Sequence, residues 1–532
     1  MKKIRYPWKK RTRPAAERSG QPSQKLPEVK WLERPLSGSL DENEQAMKDI
    51  LRDCSDIIFR KFTVTPGRKA LLVFLEGTVK TEDLQLHILQ PVIQALIETN
   101  EGTEVHLEPV DETRISLSQV KSADQFRQVT EAVLDASAVL FLEGLATAYL
   151  FSVKGGMRRG VQEPETEAVI RGPREGFNET LRVNTALLRF KLKNPMFKLY
   201  ALTLGEQTKT SIALAYIEGI AGEKLIEDVK QRLHQIKIDA VLETGYIEEL
   251  IEDHPHSPFP QMQYTERPDT VVAQLLEGRF AILVDGTPFA LIGPVTMWQM
   301  LQASEDYYER FFISNMVRWI RFFFLTIALF LPALYIAVTT FHQDMLPTTL
   351  ILSIAAARES IPFPAIVEAM MMEVSFEALR EAGIRLPKTV GQAVSILGAL
   401  VIGQAAVQAG IVSAPVVIIV SLTGIASFTI PRFNFAITVR MLRFPLMILA
   451  GAFGLFGIII GMVLITVHLT KLTSFGMPYL AGFSPYSHSD QKDILVRTPW
   501  WNMMSRPSWL APNNEHRQKK GMNGRQLEEK EW

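Results

Sequence analysis

A chain of 532 residues carries 57 Lys plus Arg against 57 Asp plus Glu, so it lacks the uniform positive field of a general nucleic-acid binder. Its one cysteine, Cys54, excludes an intrachain disulfide scaffold and a four-thiolate zinc site. Length allows about three domains at roughly 100 to 200 residues each, and the charges are unevenly spread: none occurs in Thr389 to Ile430 or Phe322 to Phe341, nor, His468 apart, in Phe444 to Thr470.

Met1 to Arg13 holds seven basic residues, but no apolar run follows, so the segment is not a signal peptide. Residues 1–45 read as a basic disordered arm, either solvated or drawn to anionic lipid. Beyond it, up to about residue 311, short apolar runs alternate with amphipathic stretches, the pattern of α/β domains. Four of these runs end in an acid and a glycine: Glu76-Gly77, Glu143-Gly144, Glu218-Gly219 and Asp285-Gly286. The acids are 67 residues apart within each pair and the pairs are offset by 142, which points to an internal duplication. The expected halves are 46–160 and 206–311, joined by a charged connector over 161–205. Each has a strand leading to a helix (Glu82 to Ile97; Glu223 to Ile236) and a closing hairpin whose glycine supplies positive φ. Divalent-metal binding by the acids is the competing reading, but each acid lies in its own turn. In the connector, Glu163 to Glu167 and Arg171 to Gly176 alternate charge with Pro and Gly, as does Thr265-Glu266-Arg267-Pro268-Asp269. These runs read as salt-bridged linkers that fix how the halves sit, with an Arg171/Arg174 anion site as the alternative.

A membrane domain is expected over 312–470 and a C-terminal tail over 471–532. Residues 320–341 are long enough to span a hydrocarbon core of about 30 Å, and Arg310 and Arg318 before them, with Arg321 at their start, place the soluble part in the cytoplasm. Thr389 to Ile430, about 63 Å as one helix, must fold into a hairpin of spans 389–410 and 412–430 that breaks near Gly410 to Pro415. Residues 444–469 form the last expected span. Leu346 to Ala357 is short and reads as re-entrant or interfacial. Residues 364–383 form an amphipathic helix, with Ile366, Val367, Met370, Met371, Val374, Ala378 and Leu379 on one face and Glu373, Glu377, Arg380 and Glu381 on the other. Four full spans with a cytosolic tail are preferred, and no acid or base is expected deep in a span.

Small residues mark close helix packing: Gly454, Gly457 and Gly461 on the last span, Gly398 and Gly403 in the hairpin. Gln392, Ser395, Gln404 and Gln408 either line a water-filled path or bond between helices. Glu359 and the Pro362-Phe363-Pro364 corner precede the amphipathic helix, where Pro364 either sets the helix angle or simply starts it. No phosphate loop, dinucleotide fingerprint, zinc-protease motif or nucleophile elbow is present, so no enzyme, cofactor or metal centre is expected. His254 and His256, the closest histidine pair, read as an exposed loop pair. The expected architecture is an α/β cytosolic region of two related subdomains followed by an all-α multi-span membrane domain.

Several long motifs resemble the A-subunit family of bacterial spore germinant receptors: Ala356-Ala357-Arg358-Glu359-Ser360-Ile361-Pro362-Phe363-Pro364, Phe376 to Pro387, Gly391 to Ile396, and in the soluble part Glu163 to Glu167, Arg171 to Phe177, Thr265 to Asp269 and Asp285 to Phe289. The resemblance runs from about residue 55 to 510. It implies a subunit in the spore inner membrane that works with a transporter-like, nutrient-binding B subunit and a C-subunit lipoprotein. It further implies a homo-oligomer, as a pentamer, forming a nutrient-gated pore for monovalent cations, and a stage V sporulation paralogue shares this architecture. Under that implication, Glu373 and Glu377 of five copies would form an acidic ring at the pore mouth. A non-conducting membrane-anchored scaffold is the other reading.

Overall fold

The computed structural model describes residues 32–65, 68–90, 120–155, 163–387, 398, 401–487, 490–512 and 514–518. The soluble part contains two five-stranded sheets. Strands β1 (Ile57–Thr65), β2 (Arg68–Leu75), β3 (Val120–Ala123), β4 (Ser137–Leu142) and β5 (Ala148–Ser152) lie in the order β1-β2-β4-β5-β3. Strands β6 (Phe197–Leu204), β7 (Thr210–Ile217), β8 (Gln263–Thr265), β9 (Phe280–Val284) and β10 (Ala290–Gly293) lie in the order β6-β7-β9-β10-β8. Every strand pair is antiparallel, and the two orders are the same.

The central strands are apolar runs because both of their faces are covered. Leu71, Val73 and Leu75 of β2 pack under α1 (Leu40–Ile50) and α2 (Phe126–Leu134), while Ala70, Leu72 and Phe74 pack on the opposite face with Leu84 and Ile88. In the second sheet α3 (Leu181–Lys191) and α6 (Pro268–Leu275) cover one face, and α4 (Glu223–Gln235) and α5 (Thr244–Ile251) the other. All four acid-glycine pairs turn the chain at positive φ, between 79° and 92°.

The halves begin earlier than expected. Leu36, Leu40 and Met47 are in the first core, so the segment from 32 belongs to it rather than to the arm. Residues α3 and β6, expected in the connector, belong to the second half: β6 is an edge strand whose exposed positions are polar or mixed, which hid it in the sequence. The helix expected over Glu82 to Ile97 extends outside the described residues. The halves are joined by residues 53–56 lying along β6, with Ser55 N donating to Leu199 O (3.0 Å) and Leu199 N to Asp53 O (2.9 Å). The buried Arg189 guanidinium on α3 clamps the buried Asp56 carboxylate at 2.6 and 2.9 Å.

The helical part comprises α7 (Phe311–Phe341), α8 (Thr348–Arg358), α9 (Ala365–Arg385), a helical segment ending at residue 408, α10 (Ala414–Phe428), α11 (Phe433–Phe453) and α12 (Leu455–Lys471). By length and composition α7 and α11 are long and apolar enough to cross a membrane; α8, α10 and α12 are shorter apolar helices. The single span expected over 444–469 is corrected. The chain reverses at Gly454, whose φ of 64° only glycine adopts readily, and α12 runs back along α11. A Cβ at Gly457 would overlap the Leu449 carbonyl and one at Gly461 the Leu446 side chain, so these glycines serve a tight intrachain hairpin. The stretch from Arg432 to Arg443, between the expected spans 412–430 and 444–469, is almost wholly helical in α11, which carries Arg440 and Arg443 into the helical domain.

The tail returns to the second α/β half. Ser474 Oγ donates to Gln261 O (2.7 Å), Arg506 Nε to Leu276 O (2.7 Å), and Ala511 joins that half's core. The loop around Pro258 and Phe259 plugs into the helices: Phe259 packs with Phe435, His468 and Tyr479, and Thr438 Oγ1 donates to Pro258 O (2.5 Å).

Candidate functional site in the helical domain

Helix α9 carries three carboxylates that its neighbours satisfy. Glu368 is fully buried; it accepts from Ser413 N, at the start of α10, at 2.9 Å and from Arg358 Nε, at the end of α8, at 3.1 Å. Glu373, 2 % exposed, receives Arg443 Nη1 of α11 on both oxygens at 2.8 and 2.6 Å. Glu377 meets Arg380 at 3.2 Å and Arg440 at 3.6 Å. The second of these pairs gathers a third helix. Pro332 inside α7 has no N–H, so the carbonyl four residues earlier, Ala328 O, has no helical donor, and Arg443 Nε donates to it at 2.9 Å. One guanidinium thus holds α7 at its proline, α9 at its acid, and α11. An isolated buried charge costs several kcal/mol, so partners at this distance are what permit the burial.

A second ionic network ties this domain to the soluble part. Arg432, at the start of α11, binds Glu167 of the connector, and with its amide oriented to satisfy both partners Gln263 accepts from Arg432 Nη1 and Nη2 at 3.1 and 2.8 Å. Thr265 Oγ1 also donates to Glu167. Glu266 accepts from Glu165 N (2.7 Å) and Thr166 Oγ1 (2.9 Å). Arg267 donates to Glu167 O (3.1 Å), Pro173 O (2.8 Å) and Asp269 (2.8 Å). Asp269 also receives Tyr308 Oη, whose hydroxyl burial and this carboxylate hold protonated well above its usual range. Arg321 of α7 pairs with Asp306 at 2.9 Å, and Arg318 with the tail's Asp493 at 3.1 Å. Burial pushes the Asp493 carboxyl up to about 6 in spite of Arg318 beside it. The charged runs at 163–176 and 265–269 are therefore one stitched junction between β8, the connector and α11.

The expected amphipathic helix is present but turned. Its inward face is Ala365, Glu368, Ala369, Met372 and Glu373, whereas Val367 and Val374 are exposed, so Glu373 and Glu377 do not share a solvent face. The reason is Arg443, 70 residues on, which a reading of α9 alone does not contain. Glu359, Pro362, Phe363 and Pro364 lie exposed in the α8–α9 corner, and Pro364 is the residue before the helix rather than its first. Gln404 and Gln408 are exposed; Gln392 and Ser395 lie outside the described residues. Gly403 is buried, and a Cβ at Gly398 would come 2.8 Å from Leu379 of α9. His254 and His256 are exposed, His254 Nε2 lying 3.1 Å from Thr473 Oγ1. Glu368, Arg358, Arg432 and Arg443 escaped the sequence reading. The signal for Arg443 was an arginine two residues before Pro445, one helical turn after Arg440, at the edge of an apolar stretch.

Comparison with known proteins matches residues 45–509 to the model of the Bacillus/Clostridium GerA spore germination protein family. The chain belongs to the GerA spore germination family. It is 56 % identical over 482 residues to the uncharacterized membrane protein YfkQ of Bacillus subtilis (strain 168), covering 91 % of this chain and 93 % of that one. To spore germination protein KA of the same organism it is 45 % identical over 492 residues, covering 92 % and 90 %. Among solved structures, the N-terminal domain of the A subunit of the Bacillus megaterium spore germinant receptor GerK3 is 33 % identical, with a TM-score of 0.40, covering 49 % of this chain and 96 % of that one. The GerA motifs read in the sequence fall inside the matched range, which also spans both networks above.

Proposed function

We propose that this GerA-family chain is the membrane subunit of a nutrient-responsive germinant receptor and that copies of it assemble around a cation-conducting path. The observation that carries this is the helix ending at residue 408. In one protomer it exposes Gln404 and Gln408 on one face together with Val401, Ile402 and Val407 around it, while Gly403 is buried. A helix bare on polar and apolar sides fits a place where one side meets water and the others meet a second copy or lipid. The exposed apolar residues of α10 to α12, such as Ile418, Ile425, Phe456 and Leu464, fit a multi-pass setting in the spore inner membrane. The tail and the soluble part pack together, which calls for an even number of crossings with both in the cytoplasm. The equal strand orders support an internal duplication of the soluble half. A transporter-like B subunit and a lipoprotein C subunit are the proposed partners, and five copies the proposed stoichiometry, with Glu377 and the 359–364 corner close to the path.

The test is cation flux from liposomes holding the full chain, alone and with B and C partners, with and without nutrient. Gated flux that falls severalfold in Gln404→Leu/Gln408→Leu is expected. Absence of flux from folded, oligomeric protein in every combination would overturn the channel and leave the scaffold.

A further inference from the structure

Helix α7 has 31 residues, about 46 Å at 1.5 Å per residue. That exceeds a hydrocarbon core of about 30 Å and is close to the core plus both headgroup layers, about 40–45 Å. A crossing helix of this length puts residues 311–319, ahead of the stretch that fills the core, into the headgroup layer beside the soluble part.

The charges of this segment face the wrong way for water. Ser314, Arg318 and Arg321 are buried, the two arginines held by Asp493 and Asp306. Phe312 (74 % exposed), Met316, Trp319 (58 % exposed) and Phe323 are bare. At i, i+4, i+7 and i+11 these four form one stripe, which continues without a break onto the part of α7 read as the crossing. The tail widens it. Residues 493–501 run along the start of α7 in the opposite direction: Trp319 Nε1 donates to Leu495 O (3.0 Å), Asn315 Nδ2 to Arg497 O (3.0 Å) and Arg497 N to Asn315 Oδ1 (2.6 Å). Trp501 meets Phe311 edge-on, with ring centres 5.9 Å apart. Arg497 also turns inward; it is buried, donates to Glu309 O at 3.2 Å and lies 5.8 Å from the Trp500 ring centre. Leu495, Val496, Trp500 and Trp501 are left on the outside. Trp500 Nε1 donates to Tyr307 O at 3.3 Å, so Trp500 and Trp319 both have their polar group satisfied within the chain and offer an apolar ring outward.

A contiguous apolar surface with its charges tucked behind it is costly in water and marks an interaction site. Three features fit lipid: the stripe is continuous with the crossing part of α7, tryptophan is a residue that membrane interfaces concentrate, and the exposed Arg310 at the end of the stripe suits anionic headgroups. We propose that the tail segment 495–501 and the 312–319 face of α7 form one interfacial anchor, seated in the headgroup layer on the side of the soluble part. The proposal rests on the reading of α7 as a crossing helix. It makes the tail a membrane-bound element that ties the second α/β half to the bilayer surface, independently of conduction.

The test is nitroxide labelling of the full chain in vesicles of phosphatidylglycerol and phosphatidylcholine. With the buried Cys54 replaced by alanine, single labels go on Phe312→Cys and Val496→Cys, with Phe323→Cys as the reference for the crossing and the exposed Glu131→Cys as the reference for water. Collision with oxygen severalfold above that with a water-soluble nickel chelate at 312 and 496, at a depth shallower than 323, is expected. Chelate access at 312 and 496 beside a deep 323 refutes the anchor and leaves the crossing; chelate access at 323 as well removes the crossing and the anchor together. Shielding of 312 and 496 from both reagents means that protein, a second copy or a partner subunit, covers the patch, and refutes lipid. A measurement that leaves the backbone contacts of the tail in place guards against a labelling artefact: lipid brominated near the headgroup should quench the tryptophan fluorescence of the parent more than that of Trp500→Phe/Trp501→Phe, and equal fractional quenching counts against the anchor.

Discussion

Replacing Arg443 by methionine removes one guanidinium and leaves two stranded groups. The Glu373 carboxylate, 2 % exposed, loses both short contacts, and Ala328 O loses the donor that stood in for the N–H missing at Pro332. Breaking a buried pair from one side typically costs about 3–5 kcal/mol, with about 1–3 kcal/mol attached to an unsatisfied buried carbonyl. The costs overlap, and Glu373 escapes part of its share by taking up a proton, so about 3–5 kcal/mol is expected in all. Glu373→Met alone strands the arginine and costs a similar amount. The double variant Glu373→Met/Arg443→Met removes both charges and fills the space with apolar atoms, leaving only the Ala328 carbonyl unmet. It should therefore recover most of the loss, with a coupling energy of at least about 2 kcal/mol. Thermal and denaturant melting of all four proteins in one detergent measures the cycle. Single variants within about 0.5 kcal/mol of the parent, or losses that simply add, would refute the claim that this arginine holds α7, α9 and α11 together.

Gly457→Ala places a methyl group against the Leu449 backbone, which cannot rotate away. The α11–α12 hairpin should open at a cost of about 1–3 kcal/mol, seen as faster proteolysis within 455–471. In the soluble part, Glu248 is held up to about 8 by burial and by Glu252, itself raised to about 7. A carboxyl whose folded pKa is raised lends stability that is full below its unfolded value of 4.5 and is lost as pH rises through about 8. Melting temperature should therefore fall between pH 5 and pH 8, and Glu248→Gln should flatten much of that slope. Equal slopes in the two proteins would show that Glu248 stays solvated.

Local chemistry was legible without the fold. The acid-glycine pairs announced turns because positive φ is a property of the residue and its neighbours, and the two sheets that hold them share one strand order. Apolar runs marked the covered strands and helices for the same reason, and the charged runs at 163–176 and 265–269 showed a linker held by ion pairs. Partners distant in sequence were not legible. Glu373 looked like a solvent-facing acid because helical spacing reports which residues share a face, not which face is inside, and Arg443 and the carbonyl freed by Pro332 reversed it. Gly454 looked like a packing residue within one span because an apolar run carries no mark of direction; the close approach of Gly457 to Leu449 makes it a reversal. Likewise the return of residues 472–518 to the second half arises only when segments more than 200 residues apart meet.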